Sequence, residues 1–234
     1  MYQNKRILAV VPARGGSKGI PLKNLRKIKG ISLVGLAGIV ARSISYIDRA
    51  VVSTDHDEIA REALAYGLDA PFRRPIEISG DRIGDVEVLS HALTATESDD
   101  GTRYDVVVML QPTSPLRKAE HVKTVIEKLV NDDLDSVWTV SETDSKAHPL
   151  KQLVVIDGRL EYYDPKGAVV VARQELKPVY HRNGIAYALT RDCLLGRKSL
   201  LGPRTGAVMV AGHVVSIDTD WDLDLVEFIS AGHN

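Results

Sequence analysis

Short apolar runs alternate with segments of helical periodicity along most of the chain. The apolar runs predict buried strands at residues 7–11, 50–53, 105–110, 136–140 and 184–189. Between them, apolar side chains recur at helical spacing and predict helices at residues 32–44, 57–66, 85–96 and 118–130. The alternation predicts the α/β class: an open, mostly parallel sheet in a three-layer α/β/α arrangement, with a Rossmann-like nucleotide-binding half.

The pattern changes between about residues 146 and 178. Apolar runs at 153–156 and 159–163 flank Asp157-Gly158, which predicts a hairpin across a tight turn. A hairpin alone is marginally stable and needs a surface to pack on. The remaining chain predicts short strands at 207–210 and 214–217 and a closing helix at 220–231. We therefore predict one domain spanning residues 1–234, with an inserted protruding segment at about 146–178.

The composition is that of an ordinary soluble globular protein. The 234 residues are 44% hydrophobic and 26% charged, with a formal net charge of −1. This charge argues against nucleic acid and acidic membranes as partners, so any basic site must be local. No apolar run approaches the roughly 18 residues of a membrane helix. The single cysteine, Cys193, fits a reducing compartment and is expected to be a small buried hydrophobe. We expect a cytoplasmic protein.

The segment after the first strand has the chemistry of a polyphosphate-binding loop. Residues 10–24 have the sequence VVPARGGSKGIPLKN. Glycines let the backbone approach an anion, arginine adds a rigid fork for phosphate oxygens, and lysine adds a compact charge. Neither the Walker A pattern nor the dinucleotide fingerprint is present. A flexible basic turn is the alternative, although α/β sheets bind ligands at such strand ends. The candidate ligand contacts are Arg14, Gly15, Gly16, Ser17, Lys18, Gly19, Lys23 and Asn24.

Two carboxylates near the C-terminus predict a magnesium site. If the strand at 214–217 continues, Asp218 and Asp220 face the same side, because side chains alternate along a strand. Mg²⁺ prefers oxygen ligands and bridges to substrate phosphates. The alternative is that Asp220 or Asp222 caps the last helix. Both hold if Asp218 and Asp220 bind the metal and Asp222 caps.

Two further segments contain candidate ligand contacts. The sequence QPTSPLR at residues 111–117 follows the central strand, where an α/β sheet binds its ligand. Ser114 is also suited to begin the next helix, with Pro115 in the first helical position. Arg73 and Arg74 precede a polar loop that ends in Asp81. As isolated residues, such arginines are more often solvated.

These motifs point to a family. PARGGSKGIPLKN at residues 12–24 resembles the N-terminal signature of the acylneuraminate cytidylyltransferases, also called CMP-sialic acid synthetases, and of relatives that activate legionaminic or pseudaminic acid. SIDTD at 216–220 resembles the metal motif of this family, and QPTSPLR recurs in it. The resemblance extends over nearly the whole chain, from Val11 to Asp220.

The resemblance implies roles for individual residues. The nucleotide-binding residues it implies are Ala13, Arg14, Gly15, Gly16, Ser17, Lys23, Asn24 and Arg74. The catalytic residues it implies are Arg14, Lys23, Asp218 and Asp220, of which the two aspartates hold the Mg²⁺ cofactor. The sugar-binding residues it implies are Gln111, Arg173, Asn183 and Tyr187, with Lys151 supplied by the second subunit. The inserted segment is implied to form a homodimer; a hairpin folded back on its own domain is the alternative.

Two departures from the family pattern concern the sugar. Leu200-Leu201 stands where sialic acid enzymes often carry two phenylalanines, and His181-Arg182 stands where Arg-Pro often precedes Asn-Gly. The first change reshapes the region implied to surround the acyl group of the sugar. These departures leave the identity of the sugar open.

The resulting hypothesis is an enzyme that uses CTP and a nine-carbon 2-keto-3-deoxy acidic sugar. The anomeric hydroxyl attacks the α-phosphorus, giving CMP-sugar and pyrophosphate, in a reaction that depends on alignment and charge neutralisation. The sequence offers no convincing general base; a metal-bound water or hydroxide is one candidate. The alternatives are a cytidylyltransferase for Kdo (3-deoxy-manno-octulosonate), a nucleotide-sugar glycosyltransferase with a D-x-D motif, and a non-catalytic nucleotide-binding module.

Overall fold

The computed structural model describes residues 1–212 and 214–232. Its strands are β1 (Ile7–Pro12), β2 (Lys27–Ile28), β3 (Ile31–Ser32), β4 (Arg49–Ser53), β5 (Val106–Met109), β6 (Ser136–Glu142), β7 (Leu153–Ile156), β8 (Arg159–Tyr162), β9 (Tyr180–Thr190) and β10 (Thr205–Met209). Its α-helices are α1 (Leu33–Arg42), α2 (Asp57–Ala65), α3 (Asp85–Asp100), α4 (Ala119–Asn131) and α5 (Asp220–Ser230). Ser32 caps α1 as predicted, because its side chain accepts from the Gly35 amide.

The central sheet has the order β10-β6-β9-β5-β1-β4. β1 is parallel to β4 and β5, and β10 is parallel to β6, whereas β9 is antiparallel to both β5 and β6. The mostly parallel sheet is therefore confirmed, with β9 as the reversed strand. Since β9 is reversed, its first residues lie where β6 ends, and Tyr180 pairs with Glu142. Both strands thus contribute to the edge of the sheet at which β1, β4 and β5 end.

The side chains of β1 show why the helices form two layers. Ile7, Ala9 and Val11 pack in a buried cluster with residues of α1, α2 and α4. Leu8 and Val10 face the other way, into a cluster with α3. This period of two buries both faces of the sheet, as a parallel sheet requires. The predicted three-layer arrangement is confirmed.

The C-terminal helix packs on the segment that follows β1. In a third buried cluster, Ile217, Leu223 and Val226 pack against Ile20 and Leu33. This contact brings the start of α5 next to the glycine-rich loop, although nearly 200 residues separate them along the chain. Cys193 is buried in the cluster of α3, in keeping with its expected role as a small hydrophobe.

Several predicted boundaries differ from the structure. Residues 214–217 do not form a strand; they approach the loop after β5, where the Ile217 amide donates to the Thr113 carbonyl at 2.9 Å. β10 spans Thr205–Met209 at the edge of the sheet, and the Val210 amide that follows still donates to the Val140 carbonyl of β6 at 2.8 Å. Ser114 does not begin a helix, since α4 starts at Ala119 and the Ser114 hydroxyl donates to the Asn183 carbonyl.

The protruding segment contains the predicted hairpin. β7 and β8 pair antiparallel in a separate two-stranded sheet. Asp157 and Gly158 at its tip both have positive φ, 51° and 76°, as a primed two-residue turn requires. The segment leaves large apolar side chains exposed; Val155, Leu160 and Tyr163 are each about 70% exposed. In the described ranges, no helix is long and apolar enough to cross a lipid bilayer.

Candidate active site

A cleft of about 600 Å³ opens at the edge where the parallel strands end. Its walls come from the loop after β1 (residues 13–24, the glycine loop), from the chain between β4 and α3, from the loop after β5, and from the chain ahead of α5. The polar side chains that line it are Arg14, Ser17, Lys18, Lys23, Asn24, Arg74, Asp81, Asp85, Gln111, Thr113, Ser216 and Asp218. The structure therefore brings together most of the nucleotide-binding residues implied by the sequence.

The glycine loop is held by hydrogen bonds to its backbone. The Gly15 amide donates to a carboxylate oxygen of Asp55 at 2.8 Å, and the buried Asn24 amide group donates to the Arg14 carbonyl at 2.9 Å. Ala13 is buried where the loop leaves β1, and its amide donates to the Ser53 carbonyl. At Gly19 a Cβ atom would lie 2.5 Å from the Asp218 carbonyl oxygen, so a larger residue would displace the loop. Gly16 has free space around it.

The cations of the glycine loop face carboxylates. Lys23 Nζ donates to the Ile217 carbonyl at 2.7 Å and lies 2.9 Å from Asp218. Arg14 and Lys18 both pair with Asp81, at 2.7 and 2.6 Å. In the structure these three cations are therefore paired with carboxylates from two other segments of the cleft, the chain between β4 and α3 and the chain ahead of α5.

Arg74 is a buried cation whose side chain lacks such a partner. It is only 4% exposed, and its Nε and Nη2 make no hydrogen bond within the described chain. Burial lowers the pKa of Arg74, while nearby Asp55 raises this pKa and Arg14 lowers it further. A buried guanidinium without acceptors is costly, so its donors are suited to a ligand. The solvated alternative is wrong for Arg74, whereas Arg73 is exposed and pairs with Asp57.

Two implied sugar-binding residues lie behind the wall of the cleft. Asn183 is buried: its side-chain oxygen accepts from Thr139 at 2.6 Å and its nitrogen donates to Ser141 at 3.0 Å. Burial raises the pKa of Tyr187, whose hydroxyl accepts from the Gly184 amide at 2.7 Å. Gly184 has a φ of +73°, and a Cβ there would lie 2.6 Å from the Gln111 side-chain oxygen. Gln111 itself lines the cleft.

Arg173 and Lys151 lie in the protruding segment. Arg173 begins an exposed 3₁₀ turn, and Lys151 ends another. Neither residue is part of the lining described for the cleft. Within one described chain, the structure does not bring these two residues to the glycine loop.

The two candidate metal ligands occupy different positions. Asp218 lines the cleft, whereas Asp220 is the first residue of α5 and lies 3.1 Å from Arg26. Both carboxylates are mostly exposed, and the described residues contain no group of three or more His, Cys, Asp or Glu side chains able to hold a metal.

The cap of α5 differs from the prediction. Thr219 is the N-cap, and the Asp222 carboxylate accepts from the Thr219 amide at 2.7 Å, which completes a capping box. Caps at Asp220 or Asp222 are therefore wrong in position, although Asp222 takes part. The same Asp222 carboxylate accepts from the Asp218 amide at 2.9 Å and so orients the chain that borders the cleft.

Sequence reasoning missed three acidic residues of the site. Asp55 follows the end of β4, where the same strand-end argument that selected the glycine loop applies. Asp81 and Asp85 lie before and at the start of α3, and their only sequence signal was the polar loop after Arg74. Burial raises the pKa of Asp85, and the neighbouring Arg182 opposes that rise.

We expect Asn24→Ala to weaken binding of inorganic tripolyphosphate about tenfold, because the Arg14 carbonyl loses a buried hydrogen bond that holds the loop. Isothermal titration calorimetry measures this change. The matched control is Asn131→Ala, an exposed asparagine at the end of α4 that bonds to Gln3. Equal affinities for Asn24→Ala and the control would contradict the expectation.

Comparison with known proteins gives consistent results. The family model described as cytidylyltransferase matches residues 8–227. The chain is 29% identical to the post-translational flagellin modification protein B of Campylobacter coli, over 95% of this chain and 94% of the relative. It is 31% identical to the CMP-N,N'-diacetyllegionaminic acid synthase of Campylobacter jejuni, with the same coverage.

The fold also has solved relatives. A structure of CMP:2-keto-3-deoxy-manno-octonic acid synthetase complexed with CTP superposes with a TM-score of 0.71. It covers 98% of this chain and 100% of that one, at 20% identity, and so supports the fold. Together with the family match over nearly the whole chain, these likenesses show that the protein belongs to the cytidylyltransferase family.

Proposed function

We propose that this protein, a CTP-dependent nucleotidyltransferase by its family, activates a nine-carbon 2-keto-3-deoxy acidic sugar and releases pyrophosphate. The relative named as a CMP-N,N'-diacetyllegionaminic acid synthase supports this class of sugar. The observation that carries the proposal is the cleft itself, in which a buried Arg74 without acceptors lies with the cations of the glycine loop. A site of this charge suits a nucleoside triphosphate.

Different residues of the cleft would contact different parts of the nucleotide. The loop amides, with Arg14 and Lys23, grip the triphosphate; Ser17 lies in the same wall. Arg74 donates to the nucleotide. Fixed cations around the transferred phosphoryl group offset the negative charge that develops there, and alignment of the sugar hydroxyl supplies most of the remaining acceleration.

The donor set fits a magnesium ion. Mg²⁺ keeps several waters and uses one or two carboxylates together with substrate phosphates, so two exposed aspartates suffice. Asp218 and Asp220 would hold the ion, with Asp218 on the cleft side. Bound there, the metal would neutralise phosphate charge and lower the pKa of a coordinated water. Lys23 would then exchange its ion pair with Asp218 for one with the substrate phosphates.

The acceptor sugar binds beside Gln111. Gln111 lines the cleft. We infer that Asn183 and Tyr187 act on the sugar indirectly, by positioning the backbone around Gly184 that lies behind Gln111. Leu200 and Leu201 shape the neighbouring surface; the Leu200 carbonyl accepts from Trp138, which packs on Tyr187. This apolar surface suits an acyl substituent of the sugar.

The protruding segment suits a homodimer that completes the site. Its apolar side chains are exposed, and Val171 reaches 91%. Exposed apolar surface of this extent marks an interaction site. Lys151 and Arg173 lie in the same segment, away from the cleft of their own chain. In a two-fold dimer each segment would reach the partner's cleft, where a cation binds the sugar carboxylate. The cytoplasmic location remains a prediction from composition.

The direct test is pyrophosphate release from CTP and Mg²⁺ with a panel of acidic sugars. The panel contains N-acetylneuraminate, N,N'-diacetyllegionaminate, pseudaminate, deaminated neuraminate and Kdo. We expect release with a nine-carbon acid, loss of release on chelation, and recovery with added Mg²⁺. Turnover of Kdo alone would favour the eight-carbon alternative. CTP binding without release for any sugar would favour a non-catalytic module, and transfer from a preformed CMP-sugar would favour a glycosyltransferase.

Arg74→Met should weaken CTP binding about 100-fold, because charge-assisted hydrogen bonds in a buried site are strong. The same change should leave the free energy of unfolding equal or higher, since a buried cation without acceptors is removed. Calorimetry and urea unfolding measure the two quantities. The exposed neighbour offers the control Arg73→Met, which should bind CTP as the wild type does. Loss of stability with unchanged binding would mean that Arg74 is structural.

Mixing two inactive variants tests the shared site. Lys151→Ala and Gln111→Ala should each lose most activity, and a mixture should recover about a quarter of the wild-type rate. Half of the dimers are then mixed, and each has one intact site of two. A mixture that stays inactive after verified subunit exchange, or a protein that remains monomeric by light scattering, would contradict the shared site.

A further inference from the structure

One carboxylate, that of Asp81, connects the chain between β4 and α3 to the glycine loop. Asp81 lies 2.7 Å from Arg14 and 2.6 Å from Lys18, both on the glycine loop. These are cations suited to phosphate oxygens. The Asp81 carboxylate therefore occupies the position of an anion in the polyphosphate site, with its own two oxygens shared between the two cations.

Asp81 lies in a short, glycine-flanked connection, and its ion pairs are open to solvent. It connects the 3₁₀ turn Ile76–Ile78 to α3, and glycines at 80 and 84 flank the central residues. Asp81 is partly exposed, with 36% of its side chain accessible, and Lys18 is 81% accessible. Such exposed ion pairs are weak in water, because solvent and salt screen them. A strongly charged ligand can displace them.

We propose that Asp81 is a resident counter-ion of the polyphosphate site, which CTP displaces on binding and which regains Arg14 and Lys18 as pyrophosphate leaves. This rests on the proposed grip of the triphosphate by the glycine loop. No covalent step is involved: one set of ion pairs is exchanged for another. The exchange keeps the loop cations paired throughout and lowers the net affinity for the departing product.

The ionisation of Asp81 is compatible with this role. The hydrogen bond from Lys18, aided by Arg14, lowers the pKa of Asp81 below its usual range. The carboxylate therefore stays charged at neutral pH and competes with phosphate under working conditions. The opposite arrangement is also chemically sensible, namely that Asp81 remains bound to Arg14 and positions it on the phosphate. The two arrangements predict opposite signs for the same substitution.

The test is the affinity for inorganic pyrophosphate in the presence of Mg²⁺, measured by calorimetry on the full chain. Asp81→Asn should bind pyrophosphate about fivefold more tightly, since it removes the competitor of two exposed ion pairs. Asp81→Ser should do the same, which guards against an effect of one side chain. The control is Asp132→Asn, which removes an exposed ion pair with Lys128 at the end of α4. Weaker or unchanged binding in both Asp81 variants would overturn the proposal.

A third variant separates this inference from the function on which it rests. Arg14→Met should lose most pyrophosphate affinity if the loop grips phosphate. If Arg14→Met binds pyrophosphate as the wild type does, both proposals are wrong: phosphate binding by the glycine loop and the counter-ion role of Asp81. If Arg14→Met loses pyrophosphate affinity but Asp81→Asn does not gain it, phosphate binding by the glycine loop is supported and only the counter-ion role of Asp81 is wrong. A slower release of pyrophosphate in Asp81→Asn, followed by stopped flow, is the expected kinetic counterpart.

Discussion

The wall of the cleft that carries Gln111 depends on one buried cation, Arg117. The residue is 6% exposed, and its guanidinium donates to three carbonyl groups, those of Gln111, Gly184 and Ile185. Gln111 follows β5 and Gly184 belongs to the reversed β9, so a single planar group fixes the end of one strand against the start of its neighbour. Burial lowers the pKa of Arg117, and the three acceptors offset that cost. Together with the hydrogen bond from the Ser114 hydroxyl to the Asn183 carbonyl, this clamp fixes the wall behind Gln111.

The hydrogen bonding of the buried polar side chains distinguishes residues that hold the fold from residues suited to bind a ligand. Arg117 and Asn183 are buried and hydrogen-bonded to protein atoms, and both hold backbone in place: Arg117 donates to the Gly184 carbonyl, and Asn183 accepts from the Ile185 amide. Arg74 is as deeply buried, yet two of its nitrogens lack acceptors in the described chain. Folding tolerates such a group only if its cost is small beside total stability or if a ligand later satisfies it. Its position in the lining of the cleft favours the ligand.

Local sequence patterns predicted the features that depend on neighbouring residues, namely the secondary structure and the glycine loop. Apolar runs and helical spacing predicted the strands and helices of the three layers, and the glycines and cations after β1 predicted the anion loop. The failures are tertiary. The strand expected at 214–217 is absent because Ile217 bonds to the loop after β5. Asp81 had no periodic signal, since its importance arises from the approach of a distant loop.

The charges of the cleft show how a polyphosphate site can exist in a chain of net charge −1. Four like cations in one loop and its neighbour would repel each other in the free protein. The structure avoids this by pairing Lys23 with Asp218 and Arg14 with Asp81, from two different walls. The carboxylate of each pair is exposed to solvent, which weakens the pair, whereas partly buried hydrogen bonds, such as that of Asp55 with the Gly15 amide, hold the backbone. Rigid backbone with exchangeable side-chain partners preserves the shape of the site while its charges change partners, which is what repeated binding and release of a highly charged ligand requires.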